Sequence, residues 1–154
     1  MKPVTYLALF AVLVAAVFFY RQTDPERNAF AYRDAETVLL GQALYGEYCA
    51  ACHGEQLEGQ PDWQSRDADG YLPAPPHDAS GHTWHHPDRQ LFEITKRGTA
   101  AIVGGGYQSN MPGFADDLTD EEIVSVLAFI KSTWPARIIE RHDQMNAEVA
   151  ASGG

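Results

Sequence analysis

Hydrophobic and polar positions divide the chain into segments of different character. Residues 3–20, PVTYLALFAVLVAAVFFY, form one apolar run with no polar face, between Lys2 and Arg21. A run of 18 residues stands at the short edge of what crosses a bilayer. It ends in Phe18-Phe19-Tyr20-Arg21, which lacks the small residues of a signal-peptide cleavage site and matches an aromatic interfacial belt. Residues 1–20 are therefore expected to be an uncleaved transmembrane signal anchor. Residues 21–34 are polar, contain a proline and read as a linker. Extended, they reach at most about 45 Å, so the domain beyond them is tethered near the membrane.

From residue 35 onward the pattern is helical. Val38, Gly41, Tyr45 and Tyr48 recur at helical spacing over 35–48, with Asp34 as the expected N-cap. Gly41 costs helix propensity, and on an apolar stripe it predicts a close approach by another element. A second helix is expected over 87–97, with His86 as N-cap, Pro87 at the first helical position and Gly98 as the stop. Leu91, Phe92, Ile94 and Thr95 give it an inward face. Thr119-Asp120-Glu121-Glu122 reads as a capping box, with Leu118 stapled onto Ile123. Ile123, Val126, Leu127 and Ile130 then form a stripe beside Phe129, up to Pro135. An amphipathic tail occupies 136–154. No segment alternates with strand period and no internal repeat is found. The expectation is an all-α domain over 35–135.

The net charge of −10 excludes a nucleic-acid binder, which would show a basic face. It favours protein partners that carry basic docking patches.

The chemistry centres on Cys49-Ala50-Ala51-Cys52-His53, the C-x-x-C-H attachment signature of a c-type haem. Two thiols within about one helical turn can reach both vinyl groups of one porphyrin, and His53 is then placed to ligate the iron. These are the only cysteines in the chain. A thioredoxin-like pair would need a βαβ context. A zinc site would need two more ligands, which His53 with His77, His82, His85 or His86 could supply.

Met111 lies before Pro112, which pushes it to an extended loop conformation and lets its thioether project. Thioether sulfur is a soft iron ligand. The other readings are a gap-filling core methionine and bis-histidine ligation by one of the four clustered histidines. Those histidines could alternatively bind copper or zinc, bond haem propionates, cap the second helix or face water. Trp84, among them, reads as pocket wall or propionate donor. Gly104-Gly105-Gly106 lacks the lysine of a phosphate loop and is expected to let the backbone pass close to a haem.

Over residues 36–134 the chain resembles the class I monohaem c-type cytochromes, on Cys49, Cys52, His53, the Met111-Pro112 context and two flanking helices. It is similar in particular to membrane-anchored bacterial members with an HTWHHPD segment and a YxSNMPGF loop. The resemblance implies a cytochrome c fold, with three to four helices around one covalent haem c and its iron. It implies that Gly41 and Tyr45, eight and four residues before Cys49, pack against Phe129. It also implies that a proline carbonyl, from Pro75 or Pro76, accepts a bond from the proximal histidine.

The expected function is electron transfer between redox proteins, without catalysis, by an iron with His53 and Met111 as axial ligands. Covalent haem attachment belongs outside the cytoplasmic membrane in bacteria, or on the equivalent face of an organelle, so the domain is expected on the periplasmic side of a bacterial cytoplasmic membrane crossed once by residues 3–20. Asp116, Asp117, Asp120, Glu121 and Glu122 are candidates to guide a basic partner, or are helix-start charges alone. The competing functions are a haem enzyme or gas- and peroxide-reactive cytochrome with an open site, and a metal-handling module built on the His77–His86 cluster.

Overall fold

The structure, a computed structural model, describes residues 30–152. The run at 3–20, and the anchor expected there, lie outside these residues, as does most of the linker. Among the described residues no helix is long and apolar enough to cross a membrane.

Those residues form helices α1 (Ala35–Tyr48), α2 (Ala50–His53), α3 (Asp88–Arg97), α4 (Thr99–Val103), α5 (Asp120–Ser132) and α6 (Ala136–Ala151), with a 3-10 turn at Thr83–His85 and no strand. The all-α expectation agrees with this arrangement, but six helices stand among the described residues where three to four were expected. The short α2 and α4 carry no sequence signal of their own, because four or five residues are too few to show a period.

Asp34 caps α1 by accepting from the Thr37 N–H at 2.9 Å. The capping box of α5 is complete: Thr119 accepts from the Glu122 N–H, and the Glu122 carboxylate accepts from the Thr119 N–H at 2.8 Å. Leu118 and Ile123 are both buried beside it, as the staple requires. The start of α3 is displaced by one position. Pro87 is extended (φ −66°, ψ 156°) and stands at the N-cap, with Asp88 first in the helix.

Helix α1 packs chiefly on α5. The core between and around them includes Tyr45, Leu91, Ile123, Val126, Leu127 and Trp134. Ile123 is wholly buried, which contributes about 2 kcal/mol relative to exposure. The tail is not loose: α6 buries Ile138 and His142 and lies against the 3-10 turn. Gly104, Gly105 and Gly106 all have positive φ, a conformation that favours glycine, and a β-carbon there would meet no protein atom within 4 Å.

Candidate functional site

Helix α1 delivers the chain to Cys49, whose N–H still bonds the Tyr45 carbonyl at 2.9 Å. The next turn is α2. The Cys49 carbonyl accepts from the N–H of Cys52 at 3.1 Å and of His53 at 3.0 Å, so both thiols and the imidazole belong to one helical turn. The Tyr45 hydroxyl closes that turn by donating to the Gly54 carbonyl at 2.8 Å. Burial, then the charges of Cys49 and Glu58, raise the Tyr45 pKa, which keeps it a donor.

Neither cysteine is in a disulfide; Cys49 is half-buried and Cys52 exposed. Burial pushes the Cys49 thiol up to about 11, with Cys52 adding to the shift. A thiol that stays protonated is the opposite of the reactive thiolate of a redox pair.

His53 is buried, and its Nδ1 donates to the Pro75 carbonyl at 2.8 Å. A carbonyl only accepts, so Nδ1 carries the proton and the lone pair is on Nε2, where a metal would take it. Burial lowers the pKa of His53 against the opposing Pro75 bond, which keeps the ring neutral. Of the two candidate prolines the geometry selects Pro75. The Pro76 carbonyl instead accepts from the Thr83 hydroxyl at 3.5 Å.

Met111 lies in the loop between α4 and α5 and is half-buried. Its Sδ accepts from the Thr99 hydroxyl at 3.3 Å, and its N–H donates to the Ser109 hydroxyl at 3.1 Å. The loop rests on Gly98 (φ +83°), where a β-carbon would come within 2.8 Å of the Gly113 nitrogen and 3.2 Å of the Met111 oxygen. Close approach and conformation together require glycine at 98. The Tyr48 and Phe114 rings meet edge to face at 6.3 Å. That contact joins the residue before Cys49 to the loop three residues past Met111.

The four clustered histidines do not gather about one point, although the His82 and His86 rings meet edge to face at 5.4 Å. His77 stacks on His53 and bonds Thr83 at 2.8 Å through Nδ1. His82 stacks on Trp63, and His85 on Trp84. His86 offers its carbonyl to His142 Nε2 at 2.9 Å. Among the described residues no three of His, Cys, Asp and Glu are grouped to hold a metal ion. Burial lowers the pKa of His77 well below the ordinary histidine value, aided by His53 and His82.

Sequence reasoning does not single out Thr83, Thr99 or Trp134 as site residues. Hydroxyl and indole donors leave no periodic signal, and their partners are 57 residues away (Trp134 to His77) or on another element.

The donor set fits a covalent haem. It offers two unpaired thiols on one turn, a neutral imidazole with Nε2 available, and a thioether on a loop. The buried Trp84 Nε1–H has no hydrogen-bond acceptor among the described residues, as a donor to a propionate would require.

A family model described as "Cytochrome c" matches residues 38–134. Among solved structures the chain is similar to cytochrome cL from the marine methylotrophic bacterium Methylophaga aminisulfidivorans, at 25% identity and a TM-score of 0.48. The match covers 71% of this chain and 62% of that one. No curated protein matches.

Proposed function

The chain belongs to the cytochrome c family, and from that premise we propose that it is a membrane-tethered periplasmic carrier of single electrons whose iron has His53 and Met111 as axial ligands. Membership makes it a haem c protein of the electron-transfer class rather than an enzyme. Haem c supplies one iron that cycles between ferrous and ferric.

The observation that carries the ligand reading is the 2.8 Å bond from His53 Nδ1 to the Pro75 carbonyl. It fixes the tautomer, directs the Nε2 lone pair away from Pro75 and raises the basicity of the ring. Cys49 and Cys52 would anchor the porphyrin covalently beside that ring. Met111 would supply the second ligand, and a thioether there favours the ferrous state and a raised potential. Burial of His53 and the surrounding core exclude water from the proximal side.

Asp116, Asp117 and Glu121 are exposed near the Met111 loop, which supports a partner with a basic docking patch. Glu122 is committed to the capping box, and Asp120 pairs with Lys96 at 2.7 Å. The tether is the run 3–20, and its length and aromatic end support a single-pass anchor.

The test is an optical spectrum of the haem-loaded protein in both oxidation states, beside Met111→Ala. A far-red sulfur-to-iron charge-transfer band that disappears in the variant is expected. A high-spin or bis-histidine spectrum in the unmutated protein would reject Met111.

A further inference from the structure

His53 and His77 lie face to face, with ring centroids 4.0 Å apart and planes inclined by 23°. We propose that His77 is a positioning residue: packed flat on His53, it sets the plane in which the proximal imidazole meets the iron. The inference rests on the reading of His53 as an axial ligand.

One hydrogen bond does not fix a ring plane. The Nδ1–H to Pro75 contact holds one nitrogen near one oxygen. Hydrogen bonds tolerate angular change, so the ring can still rock about the Nδ1–oxygen line. A flat neighbour at van der Waals distance blocks that rocking on one side. The His77 ring is such a neighbour, and it is itself immobilised.

Its N–H donates to the Leu57 carbonyl at 2.8 Å. Its carbonyl accepts from the Trp134 indole N–H at 2.8 Å, across from the end of α5. Its Nδ1 is held 2.8 Å from the buried Thr83 hydroxyl, which fixes the direction of the ring. The Tyr45 ring stands edge-on at 6.3 Å. An aliphatic side chain would fill the same space but present no plane. Pro75 and His77 thus come from one short segment, which supplies both the hydrogen bond and the stack. Groups that orient a ligand in this way tune the metal it binds.

The experiment compares frozen ferric haem-loaded protein by electron paramagnetic resonance, whose g-values read the axial-ring orientation, for the wild type, His77→Leu, His77→Phe and Thr83→Val. Optical spectra and thermal midpoints accompany each. Wild type is expected to show one sharp low-spin species. His77→Leu should lose it to a shifted or broadened signal while keeping the far-red band. His77→Phe, which restores a flat ring, should bring the g-values back toward wild type. Thr83→Val should broaden the signal to a lesser degree. Wild-type g-values in His77→Leu, with the far-red band present, overturn the proposal; a merely structural role lowers thermal midpoints and leaves g-values alone. If His77→Leu does not fold, unchanged g-values in Thr83→Val overturn it. A wild type without the far-red band overturns the ligand reading and this proposal with it.

Discussion

Gly41 and Ser125 meet backbone against backbone: a β-carbon at position 41 would overlap the Ser125 carbonyl oxygen and come within 3.0 Å of the Phe129 Cβ. The Tyr45 ring, one turn on, then reaches Phe129 at 5.4 Å between centroids. The absence of a side chain at 41 is what lets α1 and α5 close, and their closure places the Cys49–His53 turn.

Gly41→Ala is therefore expected to destabilise the protein by about 1–3 kcal/mol, since the obstacle is backbone and cannot turn aside. Gly46→Ala is the control. It lies on the same helix, and a β-carbon there would meet nothing within 4 Å. It should raise stability by up to about 1 kcal/mol through helix propensity. Denaturant unfolding of the haem-loaded variants separates the two; equal effects would refute the close-approach argument.

His142 is fully buried and held in one tautomer. Its Nε2–H donates to the His86 carbonyl at 2.9 Å. Asn146 uses its Oδ1 to accept the Asp88 N–H at 2.8 Å, which turns its amide nitrogen toward His142 Nδ1 at 3.3 Å. Nδ1 must then accept, and a second proton has no place. Burial, with Lys131 second, lowers the pKa of His142 from 6.5. The unfolded chain thus binds that proton more readily, and stability falls as pH drops below 6.5 until folded His142 also titrates. The slope from this group is at most about 1.4 kcal/mol per pH unit. Asp88 acts in the opposite sense: burial raises its pKa from 3.8, so its contribution is present below that value and fades as pH rises through the folded one. Thermal midpoints between neutral and mildly acidic pH should fall less steeply in His142→Gln than in wild type.

The Lys131 side chain is 0% exposed and pairs with Asp143 Oδ1. The Tyr32 hydroxyl donates to the other Asp143 oxygen at 3.0 Å. Asp143→Ala would leave a buried ammonium unpaired and is expected to cost about 3 kcal/mol, the low end for buried pairs because Asp143 keeps some exposure. Lys131→Met removes the charge with the volume retained and should cost far less. A larger loss in Lys131→Met than in Asp143→Ala would contradict this account.

The Thr99 hydroxyl donates to Met111 Sδ at 3.3 Å. With Met111 as the proposed axial ligand, such a bond would withdraw electron density from the thioether and favour the reduced iron. Thr99→Val is expected to lower the midpoint potential of the haem with the far-red band retained. Potentiometric titration measures it, and an unchanged or raised value would remove Thr99 from the ligand environment.

Much of this site is legible along the chain because its parts are local. Cys49, Cys52 and His53 lie within five consecutive residues, so their spacing alone marks the haem attachment even though the helical turn itself leaves no periodic signal. The capping box at Thr119 and the stripe after it are likewise short-range. The roles of Pro75, His77 and Thr83 are not legible. Both prolines suit the proximal bond, and the histidines look like one cluster. Their directions depend on the tertiary path of a loop rich in proline and glycine, which no period describes.

The sequence by itself determined the haem-attachment turn, the helical class and the close approach at Gly41, because covalent spacing, helix period and the lack of a β-carbon act within a few residues or leave a visible cost. Only the tertiary structure decided that Pro75 rather than Pro76 holds His53, that His77 lies flat on it, and that α6 closes over His86 and Asp88. Each of those depends on groups from 22 to 58 residues apart meeting within hydrogen-bond or stacking distance. Such meetings arise from how buried polar groups find partners once the core has formed, and no local pattern records them.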